Sequence, residues 1–213
     1  MTDKVKSYII DNWDKTIKEN HSDNSDGLIG LPKPYTVPCV SDTFQEMYYW
    51  DTYFTNVGLI LSDMATQAKN NADNMIHLVN RFGKMPNGNR VVFLNRSQPP
   101  FLSQIVREVF ETDKDIDWLK NEAYPALCTE YSFWLEQRTD SVGLACYGGT
   151  FANEDDMLSF AKYFCSRAGI AEPNDMGLLK EYAYSCVALC ESGWDFSSRF
   201  LFDAHTSYAI DLN

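Results

Sequence analysis

The chain has 213 residues, 45% of them apolar, which suffices for a sizeable buried core and excludes a disordered segment. Its net charge is −12 and no Lys/Arg cluster stands out, which excludes a nucleic-acid or anionic-membrane surface, because phosphate contacts need concentrated positive charge. Length leaves one large domain or two small ones open.

No apolar run approaches the ~20 residues that span a bilayer. The N-terminus lacks the charged-then-apolar layout of a signal peptide, so a cytoplasmic location is expected. The six cysteines show no CxxC pairing. Cys186 and Cys190 share a helix face and are expected in the core. His21 and His77 have no partner spacing for zinc, so neither a metal nor another cofactor is expected.

Residues 2–20 predict an amphipathic helix, with Val5, Ile9, Trp13 and Ile17 on one stripe. A loop dense in Gly, Pro, Ser and Asp follows; its clustered prolines forbid a helix and favour an ordered, extended course. The aromatic segment Phe44 to Ala65 is apolar nearly all round and predicts a helix buried on several sides. A third helix is predicted from Thr66 to Phe82, with Ala68, Ala72, Ile76 and Val79 on its inner face. Pro86 to Arg90 predicts a turn, and Val91 to Leu94 a short extended piece.

Pro99 and Pro100 suit the first turn of a helix carrying Leu102, Ile105, Val106 and Val109. Thr112 and Asp115 resemble a capping box for the next helix, which runs to about Arg138 on Trp118, Leu127, Tyr131 and Trp134, with a kink at Pro125. After a loop over 139–152, Asn153 caps a helix with Met157, Phe160, Ala161 and Phe164 inside. A last helix spans Met176 to Cys190 and ends at a serine-glycine pair. The sum is an all-α chain of about seven helices with long loops, and such loops are usually functional. A helical toroid and an irregular α-bundle fit that description equally.

Three segments combine aromatic, amide, arginine and carboxylate side chains. They are Phe44 to Tyr53; Asn87-Gly88-Asn89-Arg90 with Asn95 to Pro100; and Glu191 to Arg199, the stretch ESGWDFSSR. Rigidly held donors and acceptors beside aromatic faces suit a polyol. In the last segment Asp195 stands between Trp194 and Phe196, where poor solvation would favour a general acid. Taken singly, each has a bland alternative: a turn-forming aspartate, a ring beside a helix cap, a proline-marked helix start.

Together these segments resemble the signatures of the trehalase family of glycoside hydrolases. The first is matched by Phe44, Glu46, Tyr48, Trp50, Asp51 and Tyr53. The second is matched by Asn87 to Arg90 and Arg96 to Pro100, and the third by Glu191 to Arg199 with Phe200 in its final place. The resemblance implies an (α/α)6 toroid and inverting hydrolysis of an α-glycosidic bond in trehalose or a related short α-linked disaccharide. It implies Asp195 as general acid, and Trp50, Asp51, Asn87, Arg96, Gln98 and Trp194 as substrate contacts. An inverting enzyme also needs a second carboxylate ~6.5–9.5 Å from the acid.

There are departures. Thr43 stands where the family has arginine, and the arginine-proline-glutamate segment between the second and third signatures is replaced by Gly148 to Phe151. Family members are about twice as long, with the general base far downstream. The expectation is therefore a single domain over residues 1–213, the N-terminal part of a truncated toroid, with its base outside the chain. A complementary C-terminal half is the expected partner. The alternative is a non-catalytic carbohydrate-binding remnant or half of a split enzyme.

Overall fold

The structure is a computed structural model and describes residues 2–195. The chain divides into two compact units, Met1–Leu94 with Pro100–Phe133, and Asn95–Pro99 with Trp134–Asn213.

In the first unit, α1 (Thr2–Ile10) buries none of its residues, and Val5 and Ile9 are exposed. The single helix predicted over 2–20 breaks at Asn12, whose side-chain amide donates to the Tyr8 carbonyl at 2.6 Å and competes with the helical ladder. A short α2 (Trp13–Thr16) and β1 (Ile17–Lys18) follow, and β1 pairs antiparallel with β2 (Tyr35–Thr36). Of the predicted stripe, Trp13 packs on the core and its indole donates to Ser62 Oγ at 3.1 Å.

α3 (Tyr49–Leu61), α4 (Ala65–Phe82) and α5 (Leu102–Asp113) pack on one another around Leu59, Ala68, Ala72, Met75, Leu102 and Ile105. The predicted inner face of α4 is buried throughout. α4 also fixes the proline-rich loop. Asn71 accepts the Thr36 amide at 3.1 Å, and Asn74 accepts the Lys33 amide and donates to the Lys33 carbonyl, both at 3.0 Å. Side-chain amides thus pair a backbone whose prolines cannot pair themselves.

α3 starts later than predicted, because Phe44 takes a left-handed φ of 54° and Tyr48 is extended. It buries one face, Tyr49, Thr52, Asn56 and Leu59, and leaves Phe54 and Leu61 exposed, so burial on several sides is not observed. Val91–Phe93 is a 3-10 turn, not an extended piece.

Thr112 closes α5 by donating to the Val109 carbonyl, so the predicted capping box does not form. Asp115 alone caps α6 (Ile116–Trp118), accepting the Trp118 amide at 2.9 Å. The run continues through a π-helical turn at Leu119–Ala123 into α7 (Tyr124–Gln137). The wide turn closes with the Tyr124 amide on the Leu119 carbonyl, just before Pro125, which has no donor to give. Two of the predicted helices are therefore each divided.

In the second unit, α8 (Glu154–Ala168) and α9 (Met176–Ser192) pack through Met157, Phe160, Phe164, Tyr182, Cys186 and Cys190. Asn153 accepts the Asp156 amide at 2.9 Å, as the sequence predicts. Asp175 caps α9 in the same way. Burial pushes the thiols of Cys186 and Cys190 up to about 12.

Candidate functional site

In the first unit, Asn87 to Arg90 bends as the sequence predicts, the Arg90 amide donating to the Gly88 carbonyl at 2.9 Å, and pairs on both sides with neighbouring loop backbone. The Tyr49 amide donates to the Asn87 carbonyl at 3.0 Å, and the Ile29 amide donates to the Asn89 carbonyl at 2.9 Å. The side chain of Asn89, fully buried, accepts the Met47 amide at 2.7 Å and donates to the Ile29 carbonyl at 3.1 Å. Glu46 adds a charged clasp: its carboxylate accepts Arg90 Nε at 2.6 Å and the Tyr48 hydroxyl at 2.9 Å. These bonds set buried Asn87 beside the start of α3, where Trp50 and Asp51 are half-buried. Desolvation holds the Asp51 carboxyl above its ordinary range. Along α3 the Trp50 and Phe54 rings meet edge to face at 6.4 Å, and Tyr53 stacks on Phe101 at 4.8 Å.

Tyr49, one residue before Trp50, turns inward. Its hydroxyl accepts the Leu102 amide at the start of α5 and donates to Glu130 Oε1. Glu130 is buried, and desolvation raises its carboxyl to about 7.

In the second unit, Arg96 and Gln98 are buried and Ser97 lies between them. Arg96 Nη1 donates to Asn95 Oδ1 at 2.8 Å, and its guanidinium lies 5.8 Å from the centre of the Phe160 ring. α9 ends as predicted: Gly193 takes the left-handed φ of 70°, and the Trp194 amide donates to Ser192 Oγ at 3.1 Å. Trp194 is 46% exposed and Asp195 is exposed, while the second flanking ring, Phe196, lies outside the described residues.

Glu191, in the last turn of α9, has no exposed surface. Its Oε1 accepts the Ser97 amide at 2.7 Å and Arg138 Nη2 at 3.0 Å; its Oε2 accepts Arg138 Nε at 2.5 Å and the Gly148 amide at 2.7 Å. The 139–152 loop reaches this point through a turn in which Asp140 Oδ1 accepts the amides of Val142 and Leu144. Thr150 then donates its amide to the Asn95 carbonyl at 2.8 Å. A Cβ on Gly149 would lie 2.3 Å from Val187 Cγ2 and 3.0 Å from the Asn95 oxygen, so only glycine allows this approach.

The structure thus brings Trp50, Asp51 and Asn87 together in one unit, and Arg96, Gln98, Trp194 and Asp195 in the other. Sequence reasoning gave no role to Glu130, Arg138 or Glu191. Their signal was a charge inside, or directly after, a helix with a strong apolar face, a position where charge is seldom buried unless paired.

The trehalase family profile matches residues 2–212. The chain belongs to the trehalase family. A trehalase of Dictyostelium discoideum is 38% identical over 185 residues, 81% of this chain and 30% of that protein. A periplasmic trehalase of Xanthomonas axonopodis pv. citri is 34% identical over 212 residues, 93% of this chain and 36% of that protein. The chain therefore spans about a third of the length of these curated relatives. Among solved structures, the neutral trehalase Nth1 of Saccharomyces cerevisiae matches 97% of this chain and 43% of its own, with a TM-score of 0.64 and 24% identity. The fold is accordingly a part of the all-α trehalase toroid.

The expected cytoplasmic location does not stand. Several trehalase-family relatives, that of X. axonopodis among them, are named periplasmic. Among the described residues no helix is long and apolar enough to cross a membrane.

Proposed function

We propose that the protein of which this chain is a part hydrolyses the α-glycosidic bond of trehalose, or of a related short α-linked sugar, with inversion. The observation that carries the proposal is the family match over residues 2–212, within which the sugar-site signatures occur in order. Asp195 protonates the departing glycosidic oxygen, a role open to a carboxyl group at the mouth of a helix-terminating loop. In the first unit Trp50 offers an aromatic face to sugar, and Asp51 and Asn87 offer partners for its hydroxyls; in the second, Trp194 offers such a face, and Arg96 and Gln98 such partners. The second carboxylate, which activates water on the opposite face, comes from the remainder of the protein, either as a continuation of this polypeptide or as a complementary chain. Thr43 in place of an arginine, and the absent arginine-proline-glutamate segment, leave room for sugars other than trehalose.

The test is Asp195→Asn in the full-length protein. Trehalose turnover is expected to fall by roughly three orders of magnitude or more, while calorimetry still detects sugar binding. Proton NMR of wild-type hydrolysis is expected to show α- and β-glucose in equal amounts before mutarotation, the attacked ring inverted and the departing ring keeping its α configuration. Normal turnover by the Asn variant would remove Asp195 from the role of acid.

A further inference from the structure

We propose that Glu191 and Arg138 are positioning residues, a buried pair that locks the Arg96–Gln98 segment and the Asp195 loop into one frame. The proposal rests on the glycosidase reading above and concerns how its second-unit residues are held.

The bonds form a closed circuit. Glu191 accepts the amide of Ser97, the residue between the two sugar-contacting side chains, and the amide of Gly148. From Gly148 the chain passes Gly149, pressed against Val187 of α9, to Thr150, whose amide returns to the Asn95 carbonyl. Asn95 and Ser97 are two residues apart in the chain, so the circuit closes on Glu191 again. Both carboxylate oxygens accept two bonds each, and Arg138 supplies the balancing charge through two nitrogens.

The opposite end of the same carboxylate's backbone leads to Asp195. Glu191 sits on the last turn of α9, and the Gly193 cap and the Ser192–Trp194 bond carry the chain from there to the acid. Displacing Glu191 would move the candidate acid and the candidate sugar-gripping arginine relative to each other. A wish for stability does not account for this arrangement, since well-packed apolar residues commonly stabilise a buried position as well as an ion pair does. What apolar residues cannot do is accept two loop amides in fixed directions. Catalysis by oriented groups is sensitive to displacements of about 1 Å, which cost roughly 100-fold in rate.

Two variants of the full-length protein test the pair: Glu191→Gln, and Glu191→Leu combined with Arg138→Met, which removes both charges and so leaves neither buried alone. Thermal unfolding, amide hydrogen exchange at Ser97 and Gly148, and kcat and KM on trehalose are measured together. In the double variant the expected result is a retained cooperative transition, lost protection at both amides, and a kcat lowered by about 100-fold with KM changed only a few-fold. Glu191→Gln keeps one acceptor oxygen and is expected to lose about 10-fold in kcat, a partial rescue that bulk packing would not produce. A kcat within twofold of wild type, with both amides still protected, would overturn the proposal. Should the double variant not fold, Glu191→Gln decides by the same two criteria. Should the wild-type protein hydrolyse neither trehalose nor another short α-linked glucoside or mannoside, the glycosidase reading fails and exchange decides alone: persistent protection at Ser97 and Gly148 overturns the frame, and its loss supports it.

Discussion

The Tyr49 hydroxyl donates to Glu130 Oε1 at 2.5 Å while accepting the Leu102 amide at 3.0 Å, so one phenol joins α3, α5 and α7. The bond ties the residue preceding Trp50 to the interior, and it places a titratable group where water does not reach.

That group makes stability depend on pH. Desolvation raises the Glu130 carboxyl from 4.5 to about 7, with the Tyr49 bond opposing part of the rise. Between those values the folded chain keeps a proton that the unfolded chain releases. This contribution is therefore fully present below pH 4.5 and is lost as pH rises through about 7, by roughly 3 kcal/mol. Glu130→Gln keeps an acceptor and carries no charge at any pH. Urea unfolding across pH 4.5–8 should show the wild type losing stability relative to this variant; parallel curves would mean that Glu130 does not titrate there.

Asn71 should be among the costliest polar side chains to remove from the first unit. It is fully buried and bonds Thr36 through both its oxygen and its nitrogen, as well as Asn56 and Gln67. Asn71→Ala strands the Thr36 amide and is expected to cost about 3 kcal/mol in denaturant unfolding. The proline-rich loop should become open to limited proteolysis in the same variant. An unchanged cleavage pattern would show that the loop is held by other contacts.

Gly149→Ala is expected to cost about 1–3 kcal/mol, because the new methyl meets the Val187 side chain and the Asn95 carbonyl. Adding Val187→Ala clears the first obstacle and not the second. A double-mutant cycle should therefore recover part of the loss, and full recovery would show that the Asn95 approach is not restrictive.

Arg96→Lys tests the sugar side of the second unit. The ammonium keeps the charge and loses the planar fork that can bond Asn95 and a hydroxyl pair together. Sugar binding by calorimetry should weaken by roughly 10-fold or more, with the melting temperature little changed. Equal binding would take Arg96 out of the sugar contacts.

Most helices were legible because their apolar spacing is regular, as in α4, or because a cap announces them, as Asn153 does for α8. The site signatures were legible as residue types in order. Illegible were the features that depend on a distant partner. The predicted inner face of α7 ran through Leu127, Tyr131 and Trp134, whereas the buried positions are Ala126, Glu130 and Phe133. Apolar counting passes over a glutamate, and nothing local tells that Tyr49 waits for it. Likewise the stripe Val5–Ile9 looked like a core face and found none among the described residues.

The π-helical turn before Pro125 governs more than the proline. Each residue of an α-helix advances the side-chain direction by about 100°, and a turn closed over five residues takes up one more than the regular winding needs. Wound as plain α-helix, the same residues would carry Glu130 about a quarter-turn away from the Tyr49 hydroxyl. The loosened turn is thus the phase-setter of α7, and the buried carboxyl reaches its partner because the helix is, at one point, a residue too long.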